Sequence, residues 1–137
     1  MASSTFVDTS GFYALLVQND SMHGKAVSFL SKATRAKARF VTSDYILDEI
    51  VTLLKARGHG HLIEGFLESI LASKACTIEW MDPQRFDATR QFHRKHSDKA
   101  WSFTDCFSFC MMQERKLRRA LTKDAHFRQA GFDPLLI

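Results

Sequence analysis

The sequence predicts an α/β fold: a short, mainly parallel sheet with helices on both faces. Three observations predict it. Short apolar or β-branched runs alternate with helix-period segments along the whole chain. Strands separated by helices pair in parallel through right-handed crossovers. The stretch Thr5–Leu16, TFVDTSGFYALL, reads as a buried strand that ends in a carboxylate and opens directly into a helix. Neither a repeat nor a Pro/Gly-rich linker interrupts the 137 residues, so residues 1–137 are expected to form a single domain.

Thr5–Val7 is the first strand, and Ser10 begins a helix through Leu16. Ser21 is positioned to cap a helix over Met22–Arg35, with Val27, Phe29 and Leu30 turned inward. Arg39–Thr42 reads as a second buried strand, and Ser43 or Asp44 caps a long helix, Tyr45–Arg57, that Gly58-His59-Gly60 breaks. An amphipathic helix over His61–Ser73 leads to a third strand, Cys76–Glu79, and Pro83 opens a helix to Lys95. Ser102 caps a helix to Arg115. A strand near Arg119–Thr122, a short helix Ala125–Ala130 and an apolar stub, Pro134–Ile137, close the chain.

Composition narrows the function classes. Hydrophobic residues at 45% and charged residues at 25% are ordinary for a soluble domain, and no apolar run approaches the ~20 residues that span a bilayer. The start MASSTFVD lacks a basic region and an apolar core, so no signal peptide is expected. Three cysteines, an odd number, then point to reduced thiols in a cytoplasm. Cys106 and Cys110 share a helical face but read as small buried hydrophobes. A net charge of +4 fits a polyanionic partner, with basic runs at Lys32–Arg39, Arg90–Lys99 and Arg115–Arg119.

Four acids carry the chemistry. Asp8 ends the first strand, at the sheet edge where open α/β folds bind ligands. Glu49 lies at the margin of the apolar arc formed by Ile46, Ile50, Leu53 and Leu54, whereas Asp48 points away into solvent. Asp105 sits in WSFTDCFSFCMM, apolar on nearly every side, where an isolated carboxylate is costly without a cation, donors or a proton. An aspartate in the first turn can also be satisfied by backbone N–H groups. Asp124 ends ALTKD and repeats the geometry of Asp8, while also being placed to cap the helix that follows. Like charges ~4 Å apart cost about 4 kcal/mol per pair at an effective dielectric near 20. Converging acids therefore call for a hard divalent ion, and oxygen donors suit Mg²⁺ or Mn²⁺.

With these four acids in this order, the chain resembles the PIN domain family, and within it the VapC-type toxin ribonucleases. The resemblance rests on FVDTSGFYALL, TSDYILDEI, SDKAWSFTDCFSF and ALTKDAHFRQAGF, and it extends over nearly the whole chain. It implies a three-layer α/β/α PIN-like fold and Mg²⁺- or Mn²⁺-dependent cleavage of RNA phosphodiester bonds. Asp8, Glu49, Asp105 and Asp124 fall at that family's metal-binding positions, and Ser10 and Thr104 match its small hydroxyl residues beside the acids. It further implies a homodimer and a co-expressed antitoxin whose tail occupies the acidic groove.

Other residues read more plainly. Asp98 is an auxiliary acid or a loop residue, and His126 a phosphate contact or a surface histidine at a helix start. Phe12, Phe103, Phe107 and Phe109 have the spacing of core residues. Asp20, Asp82, Glu64 and Glu68 read as surface charges, and no histidine spacing makes a zinc site. Two other functions compete: a PIN-like RNA-processing factor, and a catalytically silent module that binds RNA or protein. The silent module is disfavoured, because a binder of anions has no use for four acids in one cleft. An aspartyl-phosphate mechanism typically has D-x-D after the first strand, whereas Ser10 stands two residues beyond Asp8.

Overall fold

The computed structural model describes residues 3–137. Strands β1 (Ser4–Val7), β2 (Arg39–Ser43), β3 (Cys76–Glu79), β4 (Arg119–Leu121) and β5 (Asp133–Pro134) form one all-parallel sheet in the order β3-β2-β1-β4-β5. Connections from β1 step outward to β2 and β3, whereas the connection from β4 steps the other way to β5. Right-handed crossovers then place helices on opposite faces and leave a switch point between β1 and β4.

The helices are α1 (Thr9–Leu16), α2 (His23–Arg35), α3 (Asp44–Ala56), α4 (Ile63–Ala72), α5 (Pro83–Lys95), α6 (Phe103–Glu114) and α7 (Ala125–Gln129); a 3-10 turn at Gly60–Leu62 precedes α4. Side chains alternate across β1, so Phe6 and Val7 serve different faces. Val7 and Leu121 lie beneath Phe12 of α1 and Phe66 of α4. Phe6 meets Phe127 of α7, which packs edge-on against Phe109 of α6 with ring centroids 4.9 Å apart. Phe6, Phe107, Phe109 and Phe127 are fully buried. This is the three-layer arrangement expected from the sequence.

Local chemistry sets the element borders. The Ser43 hydroxyl accepts the Ile46 N–H at the start of α3, and the Asp82 carboxylate accepts the Arg85 N–H at the start of α5, with Pro83 at the first helical position. Ser102 and Asp105 form a reciprocal capping box on α6. Gly11 is fixed by close approach: a Cβ there would lie 2.1 Å from the Leu121 carbonyl oxygen. Only glycine lets α1 lie against the end of β4.

Four expectations are corrected. The segment read as an apolar stub, Pro134–Ile137, begins inside β5; Pro134 is tolerated because β5 is an edge strand with no further neighbour among the described residues. Ser21 does not cap α2, which starts at His23; the Asp20 carboxylate instead accepts the Met22 N–H at 3.0 Å. Asp20 is no surface charge: its side chain is only 8% exposed and pairs with Lys123 at 3.2 Å. Val27 and Leu30 are exposed, because α2 turns the face carrying the small residues Ala26 and Ala33 inward and packs mainly against α1. Phe29 does turn inward, toward Phe40.

Candidate active site

The switch point places Asp8 at the end of β1 and Asp124 just past the end of β4, on neighbouring strands. A single hydroxyl joins them. Thr122 donates to the Asp8 carboxylate at 2.8 Å and accepts the Asp124 backbone N–H at 3.0 Å. Ser10 stands 3.0 Å from the same hydroxyl and accepts the Lys123 N–H, so it braces the loop that carries Asp124. Thr122 is fully buried and was not singled out from sequence; its signal was the T-x-D spacing inside ALTKD.

Asp105 enters from α6. One of its carboxylate oxygens accepts the Ser102 N–H at 3.1 Å and lies 3.0 Å from Nδ1 of His126, leaving the side chain 13% exposed. Asp124 caps α7 through the His126 N–H. Both capping roles read from sequence are therefore present, and neither consumes the whole carboxylate. Ligand atoms of Asp105, Asp124 and His126 all lie within 4.8 Å of one another. His126 thus faces the acids rather than open solvent.

Glu49 completes the rim. It is exposed on α3, accepts the Thr9 hydroxyl, and lines an open groove with Thr9, Tyr45, Leu53 and Thr104. Asp48, read from sequence as pointing away from this face, is exposed and lines the same groove. Asp98 stands apart: its side chain is 70% exposed and pairs with Lys99 at 3.3 Å.

Electrostatics single out Asp8. Burial pushes its carboxyl from 3.8 up to about 7, against the opposing pull of the Thr122 hydroxyl and the Thr9 backbone N–H; the charges of Asp105 and Glu49 add to the upward push. The acids are thus close enough to feel one another. Without a compensating cation, burial at this edge favours the protonated form of Asp8.

Two of the three basic runs do not face the acids. Lys32–Arg39 leads into the amino end of β2 and Arg119 opens β4, both at the opposite edge of the sheet, and Arg115 is tied to the buried Glu79. Glu79, which also pairs with Arg85 at 2.8 Å, was not read as an ion-pair centre from sequence. Arg90–Lys99 alone leads into the end of α6 that carries Asp105.

Comparison with known proteins bears on the family and the fold. The PIN domain model matches residues 5–133. The 23S rRNA-specific endonuclease VapC20 of Mycobacterium tuberculosis is 29% identical over 127 residues, covering 93% of this chain and 94% of its own. A VapC ribonuclease of Archaeoglobus fulgidus is 27% identical over 127 residues, covering 90% of this chain and 79% of its own. The crystal structure of VapC20, described as a Sarcin-Ricin loop cleaving toxin, superposes with a TM-score of 0.82 at 29% identity over 93% of this chain and 95% of that one. With a family model spanning nearly its whole length and the same three-layer parallel architecture, this chain belongs to the PIN domain family.

Proposed function

We propose that this chain is a divalent-metal-dependent endoribonuclease that cleaves RNA phosphodiester bonds and acts as the toxin of a toxin–antitoxin pair. The observation that carries the reading is the cluster of Asp105, Asp124 and His126 beside the end of β1, where buried Asp8 feels the charges of Asp105 and Glu49. The named activities of VapC20 and the archaeal VapC ribonuclease support it.

The residues fit a hard cation. Asp105 and Asp124 offer carboxylate oxygens and His126 an imidazole nitrogen within one small cluster, and Asp8 faces them across Thr122. Such a donor set suits Mg²⁺ or Mn²⁺, with the nitrogen better accepted by Mn²⁺. When bound, the ion would lower the pKa of an attacking water and offset charge on the phosphodiester. Thr122 and the Thr9 backbone N–H stabilise Asp8 in its ionised form. His126 orients Asp105, and Thr9 holds Glu49 at the rim. A homodimer and an antitoxin that covers the acidic groove complete the proposed assembly.

The experiment is cleavage of single-stranded and hairpin RNA with Mg²⁺ or Mn²⁺. Activity is expected to stop with chelator and to fall at least a hundredfold in Asp105→Asn, whose fold is checked by circular dichroism. Undiminished cutting by that variant, or by the chelated protein, overturns the assignment.

A further inference from the structure

Beside the acids lies a surface that the proposed chemistry does not use. Phe86 of α5 is 47% exposed, and its ring centroid is 5.2 Å from that of Phe103 at the first position of α6. Phe103 has core spacing in the sequence, yet it is only half-buried; as the first residue of its helix it lies at the helix end, beyond the buried turns. The exposed His93 ring stands 5.9 Å from Phe103, and Tyr45 stands 6.4 Å away. Three aromatic rings therefore cluster around Phe103, at the same end of α6 as Asp105. Tyr45 links the row to the site, since it lines the same groove as Thr9 and Glu49.

Single exposed apolar residues are ordinary on protein surfaces. A contiguous row beside an acidic site, flanked by cations, is different. Arg90 lies one helical turn beyond Phe86 and is 66% exposed; its one acidic neighbour, Asp87, is 3.9 Å away. Arg94 follows on the next turn, with no ion pair among the described residues. The acids themselves would repel a phosphate that arrived without a metal, so a polyanion needs cations and flat apolar faces close by.

We propose that Phe86, Phe103 and His93 form a stacking platform for an unpaired base of the RNA substrate, next to the scissile phosphate, with Arg90 on the adjoining backbone. This rests on the ribonuclease reading and adds to it the residues that would hold an unstacked base beside the cut. A base inside an A-form duplex keeps both faces covered by its neighbours, whereas a loop or single strand can offer one to an aromatic side chain.

The test uses the full chain carrying Asp8→Asn, which keeps the RNA intact in Mg²⁺, and a single-stranded oligonucleotide with 2-aminopurine placed at successive positions. At one position near the cut, binding is expected to quench the fluorescence. Adding Phe86→Ala should relieve the quench and weaken binding about five- to a hundredfold, the range for losing one base–aromatic stack. Phe86→Trp should restore both, and a duplex of the same sequence should show no quench. Phe86 is half-exposed, so its variants are expected to fold, and thermal melts check this. Unchanged affinity and quench in Phe86→Ala overturn the platform. So does a change in sedimentation from dimer to monomer without a change in RNA affinity, which would make the patch an interface between copies. If the parent cuts RNA with metal yet no position quenches, the platform fails and the ribonuclease reading stands. If the parent cuts no RNA with either metal, both fall.

Discussion

Replacing Asp8 by asparagine should stabilise the metal-free protein at neutral pH while abolishing its activity. Burial holds the Asp8 carboxyl near 7 against 3.8 for an exposed aspartate. Between those two values the folded chain keeps a proton that the unfolded chain has lost. The unfolded state binds fewer protons there, so stability falls as pH rises. The decline is spread from about pH 4 to about pH 7 and is complete above it. A gap of roughly three units at about 1.4 kcal/mol each makes the full cost of ionising Asp8 about 4 kcal/mol, of which about 3 kcal/mol falls between pH 5 and pH 8. Asparagine keeps an oxygen that can accept from Thr122 and carries no charge. The assay is urea unfolding of parent and Asp8→Asn in chelator at pH 5, 6, 7 and 8. Their stability difference should grow in favour of the variant across that series. Adding Mg²⁺ or Mn²⁺ should reverse the order by stabilising the parent alone, because the ion binds the ionised, folded form. If the two proteins keep a constant difference from pH 5 to pH 8, burial does not penalise the Asp8 charge and the argument for a cation at this edge is lost.

Substitutions at four further positions probe the scaffold. Gly11→Ala sets a methyl 2.1 Å from the Leu121 carbonyl oxygen and should cost about 3 kcal/mol or more in urea unfolding, whereas Gly65→Ala, with nothing within 4 Å, should gain about 0.5–1 kcal/mol. Thr122→Val removes the hydroxyl between Asp8 and Asp124 and should lower kcat about 10- to 100-fold, with Thr122→Ser restoring most of it. Glu79→Ala removes the buried acid shared by Arg85 and Arg115, leaves Arg85 paired with Glu114 at 3.1 Å, and should cost about 1–3 kcal/mol in stability while leaving the metal dependence of cleavage unchanged.

The parts of the fold that were legible in the sequence are those where local chemistry and global packing agree. Ser43, Pro83 and Ser102 mark helix starts because each makes the bond or holds the backbone angle that such a start requires. Asp8 and Asp124 were readable because a strand followed at once by a helix turns its last residue toward the ligand-binding edge. The burial of α2 was not readable from periodicity. A hydrophobicity pattern weighs Val27 and Leu30 above Ala26 and Ala33, yet the neighbours that meet α2 in the assembled fold decide which set is covered. β5 escaped notice for a related reason: two residues, one a proline, carry no strand signal, and only the exposed edge of β4 calls them into pairing.

The same distinction explains why the acids were legible one by one while their connections were not. Each acid stands where its own segment puts it: at a strand end, in a helix first turn, or on the margin of an apolar arc. Thr122 matters because it reaches two segments at once, and no count along the chain shows that. His126 is similar, since its ring crosses from α7 to Asp105 of α6, 21 positions away in sequence. Gly11 ties these together. It admits α1 to the end of β4, and the Asp8 N–H then reaches the Leu121 carbonyl at 3.2 Å, which sets Asp8 and Thr122 side by side. A methyl at Gly11 should therefore change the distance between Asp8 and Asp124 without touching either. Its effect should appear as weakened Mn²⁺ affinity in Gly11→Ala molecules that remain folded, measured by titration calorimetry; full affinity would show that the site forms independently of that contact.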